Sequence, residues 1–238
     1  MDRLELRLRF CLWTFLLDDQ LDHPGASEPE LRQVERRVAR LLGGDHRVAP
    51  DDLLGVILLE ILSGLGDHDP GDALLPHVVD SLRDGLAAGV AHSVLSRRVR
   101  RGAVRHPTAE SYLRLACRSI NYRAAALALV LLVDERCWPD ADFQRLNRAL
   151  DAASSAIRLA NDLRSVDRHR REGMLNILLL RGEDGSAVTP ATVQRQIDRL
   201  VVAHDELVAT VDDRPEVRQA LIDSLRLSVC AYRAGGLR

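Results

Sequence analysis

The sequence predicts an all-α protein that folds as one helical bundle. Apolar residues recur at helical spacing along almost the whole chain, whereas few stretches alternate with the two-residue period of a half-buried strand. Proline and glycine fall between the periodic segments, and no Asn-Gly turn joins two β-branched runs. A length of 238 residues without a break in composition indicates a single domain spanning residues 1–238.

The expected helices follow one another along the chain. Their approximate limits, from the N-terminus, are Leu4 to Leu21, Glu28 to Leu42, Asp51 to Leu65, Leu74 to Arg101, Thr108 to Val133, and a segment from Pro139 to beyond Asn161. Two further helices begin near Pro190 and Pro215, because proline fits the first turn of a helix. The segment GEDGSAVTP, which ends at Pro190, is predicted to be an exposed loop.

Composition argues against several classes of partner. The formal charge is -2, and the basic residues, all of them arginine, form no run interleaved with aromatic residues, so nucleic acid is not an expected partner. Charged residues interrupt the longest apolar stretches before these reach the length of a bilayer span. The N-terminal sequence MDRLELRLRF lacks the apolar block of a secretory signal. We therefore expect a cytoplasmic protein without a membrane span.

Cysteine usage and short motifs exclude other chemistries. Cys11, Cys117, Cys137 and Cys230 form neither a CxxC pair nor a cluster with histidine, which argues against a zinc site and a disulfide framework. We expect these cysteines to be reduced and to lie in the core. The chain contains no GxSxG, HExxH or P-loop motif, so a nucleophile triad and a nucleotide site are unsupported.

An acidic motif ends the first expected helix. The sequence FCLWTFLLDDQLD places Asp18, Asp19 and Asp22 directly after an apolar run. Asp18 and Asp22 are four residues apart, so a helix presents both on one face, where their like charges repel unless a cation lies between them. Mg²⁺ binds hard oxygen ligands, often one or two carboxylates together with substrate phosphate oxygens. The alternative is a solvated acidic helix end, but carboxylates beside an apolar, buried helix favour a cavity mouth that holds Mg²⁺ and a diphosphate.

A second group of candidate ligands lies in the sequence NDLRSVDRHRREGMLNILLL. Asn161, Ser165 and His169 stand at positions i, i+4 and i+8 of this segment, so they share one stripe of a helix. An amide oxygen and a hydroxyl, together with a third ligand on the same face, indicate another magnesium site.

The two motifs together resemble those of class I terpene synthases, in particular bacterial ones. That family carries a DDxxD motif and a downstream (N/D)DxxSxxx(E/D) motif on facing helices, which correspond here to residues 18–22 and to the segment that starts at Asn161. The resemblance covers nearly the whole chain. It implies a helical bundle in which three Mg²⁺ ions and several arginines bind a prenyl diphosphate and trigger release of pyrophosphate. An allylic cation is then left in an apolar cavity, which the aromatic residues Phe10, Trp13 and Phe15 are expected to help line.

The resemblance also implies roles for individual residues, with two departures from the family pattern. Asp18 is implied as the main ligand of the first metal cluster, and Asn161 with Ser165 as ligands of the other metal. His169 stands where the family has Glu or Asp, and histidine is a poor ligand for Mg²⁺. Three alternatives follow for the missing acidic ligand: a water bridges at this position, or the nearby Asp167 or Glu172 substitutes for the acid, or metal binding is impaired. Only 17 residues precede Asp18, so the chain is an incomplete gene product or an unusually short member.

The diphosphate-sensing arginine of the family has no single counterpart in the segment YLRLACRSI. Ala116 and Cys117 precede Arg118 there, and we expect Arg118 to fill the role, with Arg114 and Arg123 as alternatives.

Three further residues are candidates for phosphate contacts. Arg168 lies on the helix of the second motif and reaches either a phosphate oxygen or solvent. Tyr232 and Arg233 resemble, in reverse order, an arginine and a tyrosine that close over the diphosphate in the family. An ordinary polar chain end is the alternative for this pair.

The expected function is therefore Mg²⁺-dependent conversion of a prenyl diphosphate to a terpene, with a C20 substrate slightly favoured. Two alternatives stay open. A trans-prenyltransferase has the same fold but uses two aspartate-rich motifs and lysines, and this chain has one such motif and no lysine. A catalytically impaired helical protein that binds prenyl ligands or a partner subunit is the other. The product and the oligomeric state, a homodimer included, are not readable from the sequence.

Overall fold

Helices make up the regular structure of the protein. The computed structural model describes residues 2–23, 25–69, 74–134, 138–211 and 214–234, and these ranges contain no strand beyond isolated bridges. The helices are α1 (Arg3–Asp22), α2 (Glu28–Leu42), α3 (Leu53–Gly66), α4 (Leu75–Arg100), α5 (Ala109–Ser119), α6 (Tyr122–Val133), α7 (Asp140–Glu172), α8 (Pro190–Ala209) and α9 (Pro215–Ala234), with a 3-10 turn at Ile177–Leu179. The predicted all-α bundle is confirmed, while the single-domain assignment stays a prediction.

Two long helices organise the packing. α7 contacts α5, α6, α8 and α9, and α4 contacts α1, α2, α5 and α6. Local signals set several helix ends, as expected from the sequence. Ser27 and Glu30 form a reciprocal capping box at the start of α2, and Thr189 and Thr192 form one at the start of α8. The loop before Pro190 is largely exposed, as predicted.

The segment expected to be one helix from Thr108 to Val133 is instead two helices. Asn121 separates α5 from α6 with a φ of 55°, in the left-handed region that asparagine adopts more readily than most residues. Its side chain packs on Gly85 of α4, where an added Cβ would collide with Oδ1 of Asn121. Apolar residues continue on both sides of this break, which is why helical periodicity alone did not reveal it.

α1 is held in place at its middle and at its C-terminal end. Trp13 is fully buried, and its indole N–H donates to the carbonyl of Leu54 at 3.1 Å, which ties α1 to α3. Arg97 of α4 donates to the carbonyls of Leu21 at 3.3 Å and His23 at 2.8 Å. These contacts fix the helix turn that carries the acidic motif.

One stretch of the described chain, Ala109–Val133, is long and apolar enough to cross a bilayer by length and composition alone. However, 61% of its most apolar window is buried inside the protein, and Asn121 interrupts it. A pair of core helices passes the same test, so this stretch is weak evidence for a membrane span.

The cysteines differ in part from expectation. Cys11, Cys117 and Cys230 are free thiols, in agreement with the predicted reduced state. The expectation that they lie in the core is wrong for Cys11 and Cys230, which are exposed on α1 and α9, and Cys117 is only partly buried. Cys137 lies outside the described residues.

Candidate active site

An apolar cavity of about 230 Å³ lies between α1, α6 and α9. Its apolar walls are formed by Leu6, Phe10, Phe15, Leu65, Ala125, Ala128, Leu129, Leu132 and Ile157. Asp18 is the carboxylate among the lining residues, and Tyr232 of α9 closes part of the opposite side. Phe10 and Phe15 therefore line the cavity as expected, whereas Trp13 is buried in the core against α3.

Solvent reaches both carboxylates of the motif, since Asp18 at the cavity wall is only half-buried and Asp22 is exposed. Burial among protein atoms raises the pKa of Asp18 to about 8, and the charge of Asp22 adds to this rise while Arg158 opposes it. Burial also raises the pKa of Asp22, against the opposing effects of Arg158 and of the Ser93 hydroxyl, which donates to Asp22 at 3.4 Å. Neighbouring Asp19 is exposed. A bound cation would relieve this crowding of negative charge.

The donor chemistry of Asp18 and Asp22 fits Mg²⁺. Both are carboxylates, and their spacing of one helical turn sets like charges together. Within the described ranges, no three His, Cys, Asp or Glu side chains converge to form a complete metal site. An ion at Asp18 therefore needs further oxygen ligands from water or from a phosphate group, which is the usual way in which Mg²⁺ binds.

The structure brings Asn161, Ser165 and His169 together on one face of α7. The Ser165 hydroxyl donates to the backbone carbonyl of Asn161 at 2.7 Å and lies 3.1 Å from its Oδ1. The same hydroxyl lies 3.3 Å from Nδ1 of His169, and the amide of Asn176 donates to this nitrogen at 3.2 Å. Burial, with the charges of Arg158 and Arg168, lowers the pKa of His169 to about 3, so the imidazole is neutral.

This second group does not fit Mg²⁺ as the first does. Its members are an amide, a hydroxyl and a neutral imidazole, none of which is an anionic oxygen. Nδ1 of His169 faces Asn176, which is fully buried. The roles of Asn161, Ser165 and His169 as metal ligands stay a prediction, and this arrangement does not favour it.

A buried ion pair beside this group was missed by the sequence analysis. Arg158 pairs with Asp162, one turn further along α7, at 3.0 Å, and donates through Nε to the hydroxyl of Tyr112 at 3.1 Å. Asp162 also accepts from the Tyr112 hydroxyl at 2.8 Å and from the backbone N–H of Ile177 at 3.0 Å. The available signal was an arginine in the otherwise apolar run SSAIRLA, four residues before an aspartate.

The structure does not bring Arg118 to the acidic motif. Its Nε donates to Asp84 of α4 at 2.6 Å, and the side chain is about half exposed. The alternative Arg123 bonds Asp151 at 2.9 Å on the exposed side of α7. The other alternative, Arg114, is also exposed. A sensing role for Arg118 therefore stays a prediction without support from this geometry.

The remaining predicted residues divide between the site and the surface. Tyr232 lines the cavity, whereas Arg233 pairs with Asp198 of α8 at 3.0 Å in an exposed position. Arg168 is exposed as well, but its positive charge acts on both Asp22 and His169. Its guanidinium lies 3.5 Å from Nε2 of His169.

The cavity links the first motif to the helix that carries the second. Asp18 of α1 and Ile157 of α7, one helical turn before Asn161, line the same cavity. Asn161, Ser165 and His169 are not among the residues described as lining it. The charge of Arg158, the next residue on α7, opposes the rise in the pKa of Asp18 and Asp22 and contributes to the low pKa of His169.

Comparison with known families decides the assignment. The model of the family described as terpene synthase family 2, C-terminal metal binding, matches residues 9–210. The chain belongs to this family. It is a terpene synthase of class I by family and by fold, as the two motifs predicted.

Solved structures support the fold of this terpene synthase. The linalool/nerolidol synthase of Streptomyces clavuligerus matches with a TM-score of 0.72 and 22% identity, over 100% of this chain and 83% of that one. The same enzyme in complex with 2-fluorogeranyl diphosphate matches with a TM-score of 0.73 and 21% identity, over 99% of this chain and 81% of that one. Isoprene synthase from grey poplar leaves matches with a TM-score of 0.69 and 18% identity, over 92% of this chain and 43% of that one. That structure contains three Mg²⁺ ions and dimethylallyl-S-thiolodiphosphate. No curated protein matches the sequence significantly.

Proposed function

We propose that this terpene synthase ionises a prenyl diphosphate in the presence of Mg²⁺, releases pyrophosphate, and converts the resulting cation to a terpene by cyclisation or elimination. One observation carries the proposal. Asp18 lies at the wall of an apolar cavity of about 230 Å³, one helical turn from Asp22, and Ile157 of α7 lines the same cavity. A diphosphate at this opening directs its prenyl chain into the cavity and its charge toward the metal-binding carboxylates.

Asp18 and Asp22 are the residues that would hold Mg²⁺, with Asp19 beside them. When bound, Mg²⁺ supplies positive charge that stabilises the departing pyrophosphate. Arg168 orients phosphate oxygens by charge-assisted hydrogen bonds. The cavity walls exclude water from the cation, and the rings of Phe10, Phe15 and Tyr232 offer π faces to it.

The compared structures support the substrate class and the metal. The Streptomyces clavuligerus synthase was solved with a fluorinated geranyl diphosphate, and the poplar enzyme with Mg²⁺ and a thiolodiphosphate. We extend both features to this chain as part of the proposal, together with a cytoplasmic location and a fold that works as one domain. The chain length of the substrate, C20 included, is left to the experiment.

The test is incubation of the purified protein and Mg²⁺ with C10, C15 and C20 prenyl diphosphates, followed by gas chromatography and mass spectrometry. We expect a terpene hydrocarbon or alcohol from at least one substrate, and its loss in Asp18→Asn. The control is Asp80→Asn, which changes an exposed carboxylate on α4 that pairs with Arg83. A lengthened diphosphate would instead identify a prenyltransferase.

A catalytically impaired prenyl-binding protein is a second candidate. The neutral His169 and the outward position of Arg118 favour it, because both weaken the part of the site that the family motif describes. Binding of a prenyl diphosphate without product from any chain length would establish this candidate.

A further inference from the structure

We propose that α7 of this synthase holds no magnesium ion of its own, so that the Arg168 contact of the proposed function meets the diphosphate on this side without a metal. Mg²⁺ then binds only on the α1 side, at the carboxylates of Asp18 and Asp22. This inference rests on the proposed function and changes how the diphosphate is held.

Two carboxylates of this part of α7 already have other partners. Asp162 is fully buried, and its oxygens face Arg158, Tyr112 and the N–H of Ile177. Asp167 is 77% exposed and pairs with Arg170 at 3.1 Å.

Glu172 does not stand at the motif position either. It is exposed and lies 3.9 Å from Nε of Arg168. His169 therefore leaves the position one turn beyond Ser165 without the anionic oxygen that Mg²⁺ prefers.

His169 stands where the family motif has an acid, and both of its ring nitrogens face other groups. Nδ1 faces the amide of Asn176 at 3.2 Å, and Nε2 lies 3.5 Å from the guanidinium of Arg168. Asn176 is itself fixed, because its amide also donates to the carbonyl of Asp162 at 2.8 Å and its Oδ1 accepts from the N–H of Leu178 at 3.0 Å. His169 therefore ties the end of α7 to the following 3-10 turn.

The charges on this part of α7 also disfavour a cation. Arg158 and Asp162 form a buried pair, and Asn161 and Ser165 carry no charge. What remains is Arg168, an exposed guanidinium on the same helix. A face without anionic ligands and with a guanidinium repels a divalent cation and attracts a diphosphate, whose oxygens match the planar fork of arginine.

α1 and α7 are thus complementary to different parts of one ligand complex. Asp18 and Asp22, one turn apart on α1, offer two carboxylates to a cation. The α7 side provides positive charge and polar neutral groups, and it needs an anion. A diphosphate with Mg²⁺ on one side only satisfies both.

The test counts metal ions in the complex with inorganic pyrophosphate, with Mn²⁺ as the probe for Mg²⁺, by equilibrium dialysis and electron paramagnetic resonance. We expect His169→Glu to bind one more Mn²⁺ per chain than the wild type, because it restores an anionic ligand. We expect His169→Asn, which removes the imidazole, to leave the ion count unchanged.

The arginine is tested by pyrophosphate affinity at saturating Mg²⁺. Arg168→Gln should weaken binding about tenfold or more, as loss of charge-assisted hydrogen bonds to phosphate does. The matched control is Arg145→Gln, which changes another arginine of α7, one that pairs with Asp142 at 2.6 Å. Its affinity should stay within about twofold of the wild type. Both are surface substitutions, so neither depends on the buried His169 variants folding.

Three results would each overturn the inference. The first is that the wild type and His169→Glu bind equal numbers of Mn²⁺. The second is that Glu172→Gln removes an ion, which would identify Glu172 as a ligand. The third is that Arg168→Gln binds pyrophosphate as tightly as the wild type does. Failure of the proposed function looks different, because the wild type would then show no metal-dependent pyrophosphate binding at all.

Discussion

Arg158 and Asp162 lie one turn apart on α7 and form an ion pair of 3.0 Å in which Asp162 is fully buried. The hydroxyl of Tyr112 and the N–H of Ile177 complete the hydrogen bonds of the aspartate. This pair joins α7 to α5 and to the 3-10 turn, next in sequence to Ile157 of the cavity wall. Its integrity therefore bears on both stability and the position of the α7 face.

Removal of the cation alone should be strongly destabilising. Arg158→Met leaves the buried carboxylate of Asp162 without its charge partner, and we expect a loss of about 3–5 kcal/mol in the free energy of unfolding, measured by urea denaturation. The double variant Arg158→Met/Asp162→Asn, which removes both charges, should recover more than half of this loss. Equal instability of the single and double variants would show that the ion pair is not the cause.

The pKa of Asp18 predicts a pH dependence of stability. Its folded-state pKa of about 8 lies above the ordinary value of 3.8, so the folded state binds the proton more tightly than the unfolded state. The stabilising contribution of this group is complete below about pH 4 and is lost as the pH rises toward 8.

Asp18→Asn removes this titration. In the absence of divalent metal, the Tm of the variant should rise relative to that of the wild type between about pH 4 and 8. At pH 8 it should be roughly 2–4 °C higher, the shift expected for about 1 kcal/mol in a chain of this size. Asp80→Asn serves as the control, and its Tm should differ from that of the wild type by the same amount across this pH range. A Tm difference between Asp18→Asn and the wild type that does not change with pH would refute the assignment.

Sequence periodicity was sufficient for the fold class because each helix buries one side against its neighbours. It failed at Asn121, where the break depends on a left-handed residue fitting over Gly85, a tertiary contact that leaves no periodic signal. The acidic motif was readable because Asp18 and Asp22 are fixed by local spacing. The direction of Arg118 was not, because it is set by Asp84, a partner 34 residues away.

The placement of Arg118 gives a prediction about diphosphate binding. Arg118→Gln removes a surface ion pair with Asp84, so we expect pyrophosphate affinity in the presence of Mg²⁺ to stay within about twofold of the wild type by titration calorimetry. A tenfold loss would instead support the sensing role that the family resemblance implies for Arg118.

The cavity predicts which substrates the enzyme accepts. Ala125 of α6 lines it, and Ala125→Phe would fill part of a space of about 230 Å³. We expect kcat/KM to fall most for the longest prenyl diphosphate that the wild type converts, and least for the shortest. Ala141→Phe, at an exposed position in the first turn of α7, should leave the order of substrates unchanged. An equal effect of Ala125→Phe on all chain lengths would argue against this cavity as the prenyl site.

The acidic motif itself is tested by pyrophosphate binding with and without Mg²⁺, in the wild type and in Asp18→Asn, by titration calorimetry. We expect Mg²⁺ to strengthen pyrophosphate binding to the wild type by at least about tenfold, and Asp18→Asn to lose most of this gain. Equal Mg²⁺-dependent binding in the two proteins would contradict the claim that Asp18 holds the metal at the mouth of the cavity.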